Sequence, residues 1–220
     1  APAMSKTGFA ERFIYWLLSK IGCTAKRITL GVTVANIALA FMVPSSAART
    51  AILLPVCVAV IEIFRKNNKQ EGRSNFAVAL LLTLAFTNAT ISAGILTATI
   101  PNPVTVDFIY KASGHMISYV DWFIYGFPPA LIMTMFTWWF IGKVFRSEMD
   151  EIPGGQEFIV DKLKGMGKIS QDEWKTGFVF LLVVLLWMTS GYTKIDTTIV
   201  ALLGVCLLFI LQVINWADAA

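Results

Sequence analysis

The stretch ITLGVTVANIALAFMVPSSAARTAILLPVCVAVI, residues 28–61, decides the fold of this chain. It carries one charged residue, Arg49, and two prolines, Pro44 and Pro55. A run this long and this apolar is typical of a segment whose solvent is lipid. The sequence PSS at 44–46 divides it into two arms of about 16 residues each. We therefore expect two membrane-embedded helices joined at residues 44–46.

Basic residues flank both ends of this stretch. They are Lys6, Arg12, Lys20, Lys26 and Arg27 before it, and Arg65, Lys66, Lys69 and Arg73 after it. Because lysine and arginine are retained in cytoplasmic loops, both ends should face the cytoplasm. Arms of about 16 residues reach about 24 Å, which is less than the hydrocarbon core of about 30 Å. The prediction is a re-entrant helical hairpin over residues 28–64.

The rest of the chain alternates apolar runs with loops of contrasting charge. The loop 102–118 holds one lysine or arginine, whereas 143–175 holds six. The first loop is therefore predicted outside and the second inside. We predict an all-α polytopic membrane protein with about four transmembrane helices besides the hairpin. These are a broken helix in 75–112, a helix in 119–147, and two helices in 176–214 joined by a turn at 192–194. An interfacial amphipathic helix is predicted in 1–27 and a cytoplasmic loop in 148–175.

Composition disfavours several classes of function. Hydrophobic residues make up 56% of the 220 residues, and the net charge of +4 comes from loops beside apolar runs, which orients a membrane protein rather than binding nucleic acid. Cys23, Cys57 and Cys206 match no metal spacing. The chain has no HExxH motif, no phosphate-binding loop and no nucleophile with an adjacent base. We expect neither an enzyme nor a bound cofactor.

The hairpin tip carries the first candidate for binding chemistry. Arg49 lies near the tip, and a charge inside a membrane segment costs roughly 2.5–3.5 kcal/mol on insertion scales. Ser45 and Ser46 can cap the second arm, whose N-terminus points its free N–H groups into the membrane. Together these groups predict an anion site. The alternative is that Arg49 only ties the hairpin down.

The second candidate is the sequence TATIPNPV, residues 97–104. Pro101 ends an apolar run, Asn102 is suited to an N-cap, and Pro103 is suited to the first helical position. These features predict a helix broken at membrane depth, where freed carbonyl oxygens can hold a cation. The alternative is an extracellular loop that begins at Pro101.

Several motifs in chain order resemble one transporter family. PSSAARTAILLPV (44–56) resembles the Pro-Ser-Asn-Thr-Ala-Arg motif of the divalent anion/sodium symporter family, in its citrate, tartrate and 2-oxoglutarate/malate carrier branch. TGFAERFIYWLL (7–18) resembles its amphipathic segment, and TATIPNPV its broken-helix motif. YVDWFIYGFPPALI (119–132) and ISQDEWKTGFVFLLVVLLWMTSG (169–191) resemble the segments that follow. Residues 215–220 resemble the start of a second repeat.

The resemblance implies a fold, a mechanism and a site. Family members are bacterial plasma-membrane carriers with two inverted repeats, usually dimeric, that move di- or tricarboxylates by alternating access as symporters or antiporters. This chain would hold the first hairpin and lack the second. By resemblance the substrate residues are Ser45, Ser46, Ala47, Thr99, Pro101 and Asn102, to which the tip adds Arg49, and a coupling Na⁺ would lie at Ser45, Ser46 and Ala98.

The chain departs from the family pattern at the proposed site. Ser46 and Ala47 stand where the family has asparagine and threonine, Ala98 stands for a glycine, and Ile100 for a proline. These changes remove an amide and a hydroxyl from the tip. They leave open a related carrier of inorganic oxyanions or other ions, and further alternatives are a membrane-embedded enzyme or a structural membrane subunit.

Overall fold

The protein is described by a computed structural model that covers residues 2–67, 74–152, 154–189, 195 and 197–219. The predictions that involve Lys69, Arg73, the turn at 192–194 and residue 220 lie outside these described residues. The helices are α1 (Pro2–Thr7), α2 (Phe9–Ile21), α3 (Ala25–Met42), α4 (Ser46–Asn67), α5 (Asn75–Ser92), α6 (Pro101–Ser113), α7 (Tyr119–Val144), α8 (Gly155–Gly165), α9 (Gln171–Met188), α10 (Thr197–Ile210) and α11 (Trp216–Ala219), with a 3-10 helix at Leu96–Ala98.

The predicted fold class, an all-α polytopic membrane protein, is confirmed. Among the described residues, four helices are long and apolar enough to cross a membrane: α3, α4, α5 and α7. α9 and α10 are not among these four. α9 has 18 residues, but three charged residues lie in its first five positions. α10 has 14 residues and spans only about 21 Å.

The hairpin arms are longer than the apolar pattern indicates. α3 has 18 residues and α4 has 22, which correspond to about 27 and 33 Å. α3 begins at Ala25 because the Thr24 side chain accepts a hydrogen bond from the Arg27 backbone N–H. α4 includes Pro55 and continues through Arg65, since lysine and arginine are good helix formers. The re-entrant depth of the hairpin remains a prediction.

The N-terminal segment forms two helices where the sequence predicted one. Gly8 separates them with a φ of 75°, a conformation that glycine adopts without a steric penalty. α2 then buries Ala10, Ile14 and Leu18, which recur every four residues along one helical face. Trp16 lies on the other side and is exposed. α2 is therefore amphipathic, and its place at the membrane surface remains a prediction.

α5 is the central helix of the molecule. It packs against α3, α4 and α7, and it buries Leu80, Leu84 and Ile91. Just beyond its end, Gly94 lies so close to α7 that a Cβ there would stand 2.7 Å from the Ala130 Cβ and 3.0 Å from the Phe127 Cα. The segment that follows α5 is therefore fitted directly against α7.

Contacts at the helix ends fix which ends lie together. The Asp150 carbonyl accepts a hydrogen bond from the Ala25 N–H at 2.9 Å, which places the loop after α7 beside the start of α3. Lys175 Nζ, near the start of α9, donates to the Leu211 carbonyl at 3.1 Å, just after α10. α9 and α10 thus form an antiparallel pair, and the chain returns to the end from which α9 starts.

Candidate functional site

The hairpin tip is the turn between α3 and α4. Ser45 caps α4, because its Oγ accepts from the Ala48 N–H at 3.3 Å and its carbonyl accepts from the Arg49 N–H at 3.0 Å. Ser46 is the first residue of the helix, so the N–H groups of Ser46 and Ala47 have no acceptor within the helix. Ser45 and Ser46 are half-buried and Ala47 is exposed.

Arg49 is completely buried and its guanidinium connects three segments. Nη1 donates to the Val43 carbonyl at 2.8 Å, at the end of the first arm. It also donates at 3.2 Å to the Ala98 carbonyl, which lies in the break between α5 and α6, residues 93–100. Nε donates to Asn88 Oδ1 at 2.8 Å, and Nη2 donates to Ser92 Oγ. A single side chain therefore joins the tip, α5 and the break.

Asn88 completes this network from within α5. Its amide nitrogen donates to the Ser46 carbonyl and to Thr50 Oγ1, each at 2.8 Å, while its oxygen accepts from Arg49. Every polar atom of the Asn88 amide group is thus engaged with α4. The first turn of α4 is held against α5 through both Arg49 and Asn88.

The break after α5 holds the second candidate. α6 begins at Pro101, whose missing N–H is no loss at the first position of a helix. The prediction that Asn102 caps α6 is wrong: its Nδ2 turns back and donates to the carbonyls of Ser92 at 2.8 Å and Ile95 at 2.9 Å. The end of α5 frees carbonyls that need donors, and Asn102 supplies them.

The predicted site residues do not all meet directly. Arg49 links the tip to Ala98, and Asn102 is buried beside the end of α5. Thr99 is half-buried in extended backbone and Pro101 is exposed. Among the described residues, no hydrogen bond joins Ser45 or Ser46 to Thr99 or Asn102. The two motifs face the same region of the molecule and are connected through Arg49.

The chemistry available at this region follows from which groups are already engaged. The carbonyls of Ser92, Ile95 and Ala98 accept protein donors. The groups that remain are the Ser46 and Thr99 hydroxyls, the N–H groups of Ser46 and Ala47, and the Asn102 amide oxygen, which accepts no hydrogen bond within the described part of the chain. They can donate to an anion and offer oxygens to a cation.

Two residues of this network, Asn88 and Ser92, were not predicted. A signal was present, because they lie four residues apart in the charge-free run 75–100, so that both face one side of a helix. Polar side chains inside a membrane segment face the protein interior or a cavity. Reading those spacings would have placed Asn88 and Ser92 on the face of α5 that meets Arg49.

Comparison with known proteins gives a consistent result. Residues 1–220 match the sequence profile of the family described as "Sodium:sulfate symporter transmembrane region". The chain is 33% identical, over 97% of its length, to a membrane protein of Cupriavidus necator, of which it covers 42%. It is 30% identical, over 87% of its length, to the sodium-dependent dicarboxylate transporter SdcS of Staphylococcus saprophyticus, of which it covers 38%. The chain therefore spans less than half the length of these relatives.

Proposed function

Because this chain belongs to the sodium:sulfate symporter family and is a multi-pass protein of the bacterial plasma membrane, we propose that the complete protein is a secondary transporter of di- and tricarboxylate anions. The resemblance identified in the sequence to divalent anion/sodium symporters agrees with this family. In the proposed cycle, the anion binds between this half of the protein and the remaining half, and the site opens to each side of the membrane in turn.

The observation that supports this proposal most directly is the Arg49 network. It fastens the hairpin tip at Val43 to the break at Ala98 through one guanidinium. In the proposal, these two segments form a single wall of the anion site and move together. Broken backbone at membrane depth is tolerated where it lines a cavity, which is where a substrate would lie.

The role we propose for each residue follows from its available groups. Ser45, Ser46 and Ala47 supply the hairpin part of this wall, with the Ser46 hydroxyl and the N–H groups of Ser46 and Ala47 donating to a carboxylate. Thr99, Pro101 and Asn102 supply the part of the same wall that comes from the break and the start of α6. Arg49 acts as a positioning residue, because its guanidinium already donates four hydrogen bonds to the protein. This is the alternative that the sequence left open, in which Arg49 ties the hairpin down.

Sodium is the coupling ion that we propose. The Staphylococcus saprophyticus relative is named as sodium-dependent, and Na⁺ prefers oxygen ligands of the kind that Ser45, Ser46 and the Ala98 carbonyl offer. The Ala98 carbonyl also accepts from Arg49, and a carbonyl oxygen has two lone pairs. A homodimer of the complete protein also belongs to the proposal.

A carrier of inorganic oxyanions is the second candidate. One observation favours it: Ala47 is exposed at the tip and has no side-chain donor, so the tip offers fewer hydrogen bonds than a carboxylate-binding hydroxyl and amide would. A compact anion such as sulfate needs fewer donors from this wall.

Uptake by the complete protein in proteoliposomes tests the proposal. Radiolabelled succinate, malate, citrate, 2-oxoglutarate and sulfate are each offered with and without an inward sodium gradient, and with and without an internal counter-anion. We expect saturable, sodium-stimulated uptake of at least one carboxylate. Uptake of sulfate alone supports the second candidate, and uptake of none of the five by a folded preparation contradicts both.

A further inference from the structure

A cavity of about 400 Å³ lies at the cytoplasmic ends of three helices, away from the hairpin tip. Its walls come from the first turns of α3 and α5, the last turns of α7, and the loop that follows α7. The positive-inside rule places these ends at the cytoplasmic face. The cavity is therefore at the level where lipid headgroups meet the protein.

Three basic side chains line this cavity: Lys26, Lys143 and Arg146. All three residues are exposed. Within the described residues none of them forms an ion pair, although Asp150 lines the same cavity. The cavity thus holds a surplus of positive charge that the protein does not neutralise.

Two tryptophans hold the lysines over the cavity. Lys143 Nζ lies 5.0 Å from the centre of the Trp139 ring, and Lys26 Nζ lies 5.8 Å from the Trp138 ring. The Trp138 Nε1 donates to Thr29 Oγ1 at 3.1 Å, which fixes that ring against α3. Tryptophan is enriched at membrane–water interfaces, where one edge of the ring is wet and the rest is apolar.

The loop after α7, which lines one side of the cavity, is held in place by hydrogen bonds. The Asp150 carbonyl accepts from the Ala25 N–H at 2.9 Å. The Glu148 carboxylate accepts from the N–H groups of Asn75 and Phe76 at the start of α5. Glu148 therefore caps α5, and its negative charge is directed at that helix end and not at the three cations.

We propose that this cavity binds the headgroup of an anionic phospholipid from the cytoplasmic leaflet. A phosphodiester accepts hydrogen bonds from Lys26, Lys143 and Arg146, and basic cavities between transmembrane helices on this side suit such headgroups. Trp139, Phe145 and Gly142, which also line the cavity, offer apolar surface to the attached acyl chain. The apolar wall and the interfacial tryptophans favour a lipid over a free phosphate ion.

Thermal unfolding of the complete protein in detergent tests this proposal. Phosphatidylglycerol is added to the wild type, to Lys143→Gln/Arg146→Gln, and to the control Lys164→Gln/Lys168→Gln, which removes the same charge from the same side outside the cavity. We expect phosphatidylglycerol to raise Tm in the wild type and the control but not in the cavity variant. Phosphatidylcholine and inorganic phosphate should leave Tm unchanged in all three.

Two results would overturn the proposal. An equal Tm rise in the cavity variant would make the effect a general one of surface charge. A rise with inorganic phosphate as large as that with phosphatidylglycerol would identify a site for free anions and not for lipid.

A second measurement separates binding at the cavity from general stabilisation. Phosphatidylglycerol with brominated acyl chains should quench the tryptophan fluorescence of the wild type in vesicles more than brominated phosphatidylcholine does. Gly142 lines the cavity and a Cβ built there meets open space, so Gly142→Leu places a larger apolar side chain in the cavity and leaves its charge unchanged. The excess quenching should be lost in this variant, and its persistence would contradict the assignment.

Discussion

Arg49 shows how a charged side chain is accommodated inside this protein. An arginine at the centre of a membrane helix costs roughly 2.5–3.5 kcal/mol on insertion scales. Arg49 has no exposed surface, and its guanidinium donates to the Val43 and Ala98 carbonyls, Asn88 and Ser92. Hydrogen bonds to a charged group contribute about 1.5–3 kcal/mol each. Four such bonds exceed the insertion cost, so the charge can be retained to hold the tip and the break together.

Replacing Arg49 should therefore destabilise the protein before any substrate is present. Arg49→Lys keeps the charge, but the lysine ammonium cannot donate to all four of the acceptors that the planar guanidinium of arginine reaches. We expect Arg49→Ala to cost at least about 3 kcal/mol, because it leaves several neutral buried acceptors without their donor at about 1–3 kcal/mol each. Arg49→Lys should lower Tm less, and both variants should lose transport. Thermal unfolding of the substrate-free complete protein, with exposed Arg27→Lys as the control, measures this.

The opposite pattern would identify Arg49 as a direct ligand of the anion. In that case Arg49→Lys would leave the substrate-free Tm unchanged and raise the KM for uptake.

Asn102 offers a second test of the same region. Asn102→Asp preserves the shape of the side chain but removes both N–H donors from the Ser92 and Ile95 carbonyls. Each unsatisfied buried group costs about 1–3 kcal/mol. We expect a clear loss of Tm in Asn102→Asp. Thr105→Val, which removes an exposed hydroxyl from the next turn of α6, should change Tm little, and equal effects in the two variants would contradict the capping role.

Sequence reasoning located these residues better than it located their partners. Arg49 and Ser45 were identifiable because a lone charge and a serine after proline are conspicuous in an apolar run. Asn102 was assigned to the wrong helix, since a side chain near a break can cap the helix before it or the helix after it. Only the three-dimensional path of the backbone decides between them.

The break after α5 depends on close packing with α7. Gly94 allows this, because any Cβ at that position would meet the Ala130 Cβ at 2.7 Å and the Phe127 Cα at 3.0 Å. Backbone and a methyl group cannot move aside as the end of a long side chain can. α7 thus packs directly against the residues that begin the break.

Gly94→Ala should therefore separate α7 from the break. We expect a destabilisation of about 1–3 kcal/mol, as for other overpacked interiors, and reduced transport. Gly165→Ala is the control, because a Cβ there meets nothing within 4 Å and alanine is the better helix former. Thermal unfolding and uptake of both variants give the comparison, and a Gly94→Ala protein as stable as Gly165→Ala would show that α7 can move at no cost.

The extents of the helices were predicted less well than their existence. Hydropathy finds the apolar part of a helix, whereas α3 and α4 continue into charged turns at Lys26 and Arg65. Propensity and capping set those ends, and both act on single residues that a hydropathy run does not register. The division of the N-terminal segment at Gly8 was missed for the same reason.

Long-range contacts join α2 to the start of α9. Arg12 Nε lies 2.7 Å from Glu173 Oε1 at the start of α9, and its Nη atoms donate to the carbonyls of Met166, Gly167 and Lys168. Both side chains are largely buried. Arg12 therefore fastens α2 and the loop after α8 to the start of α9.

Arg12→Ala should loosen this end of the molecule. The substitution leaves the buried Glu173 without its cation. We expect the free energy of unfolding to fall by about 3 kcal/mol, which is at the lower end of the range for a broken buried ion pair. Lys111→Ala, which breaks the exposed pair with Asp107, should change stability far less. Thermal unfolding of the complete protein distinguishes the two variants. Equal stability would mean that α2 is held by its apolar face alone.

The fold class was predictable because lipid imposes a simple rule: an apolar run of about 20 residues satisfies its own backbone hydrogen bonds and spans the bilayer as a helix. The way in which the helices pack was not predictable by that rule, since all of them are apolar on several sides. The binding site was only partly predictable, because the chain spans less than half of its relatives and supplies one wall of the proposed site.

The central claim is that the hairpin tip and the break form one wall of a single anion site. The most direct test is maleimide labelling of the complete protein, with every native cysteine replaced by alanine, at Ala47→Cys in the tip and Thr99→Cys in the break. Ser113→Cys at the exposed end of α6 is the control. Succinate in sodium buffer should slow labelling at both Ala47→Cys and Thr99→Cys and leave the control unchanged. Protection at only one of the two positions, or at neither in a protein that transports succinate, would contradict the account.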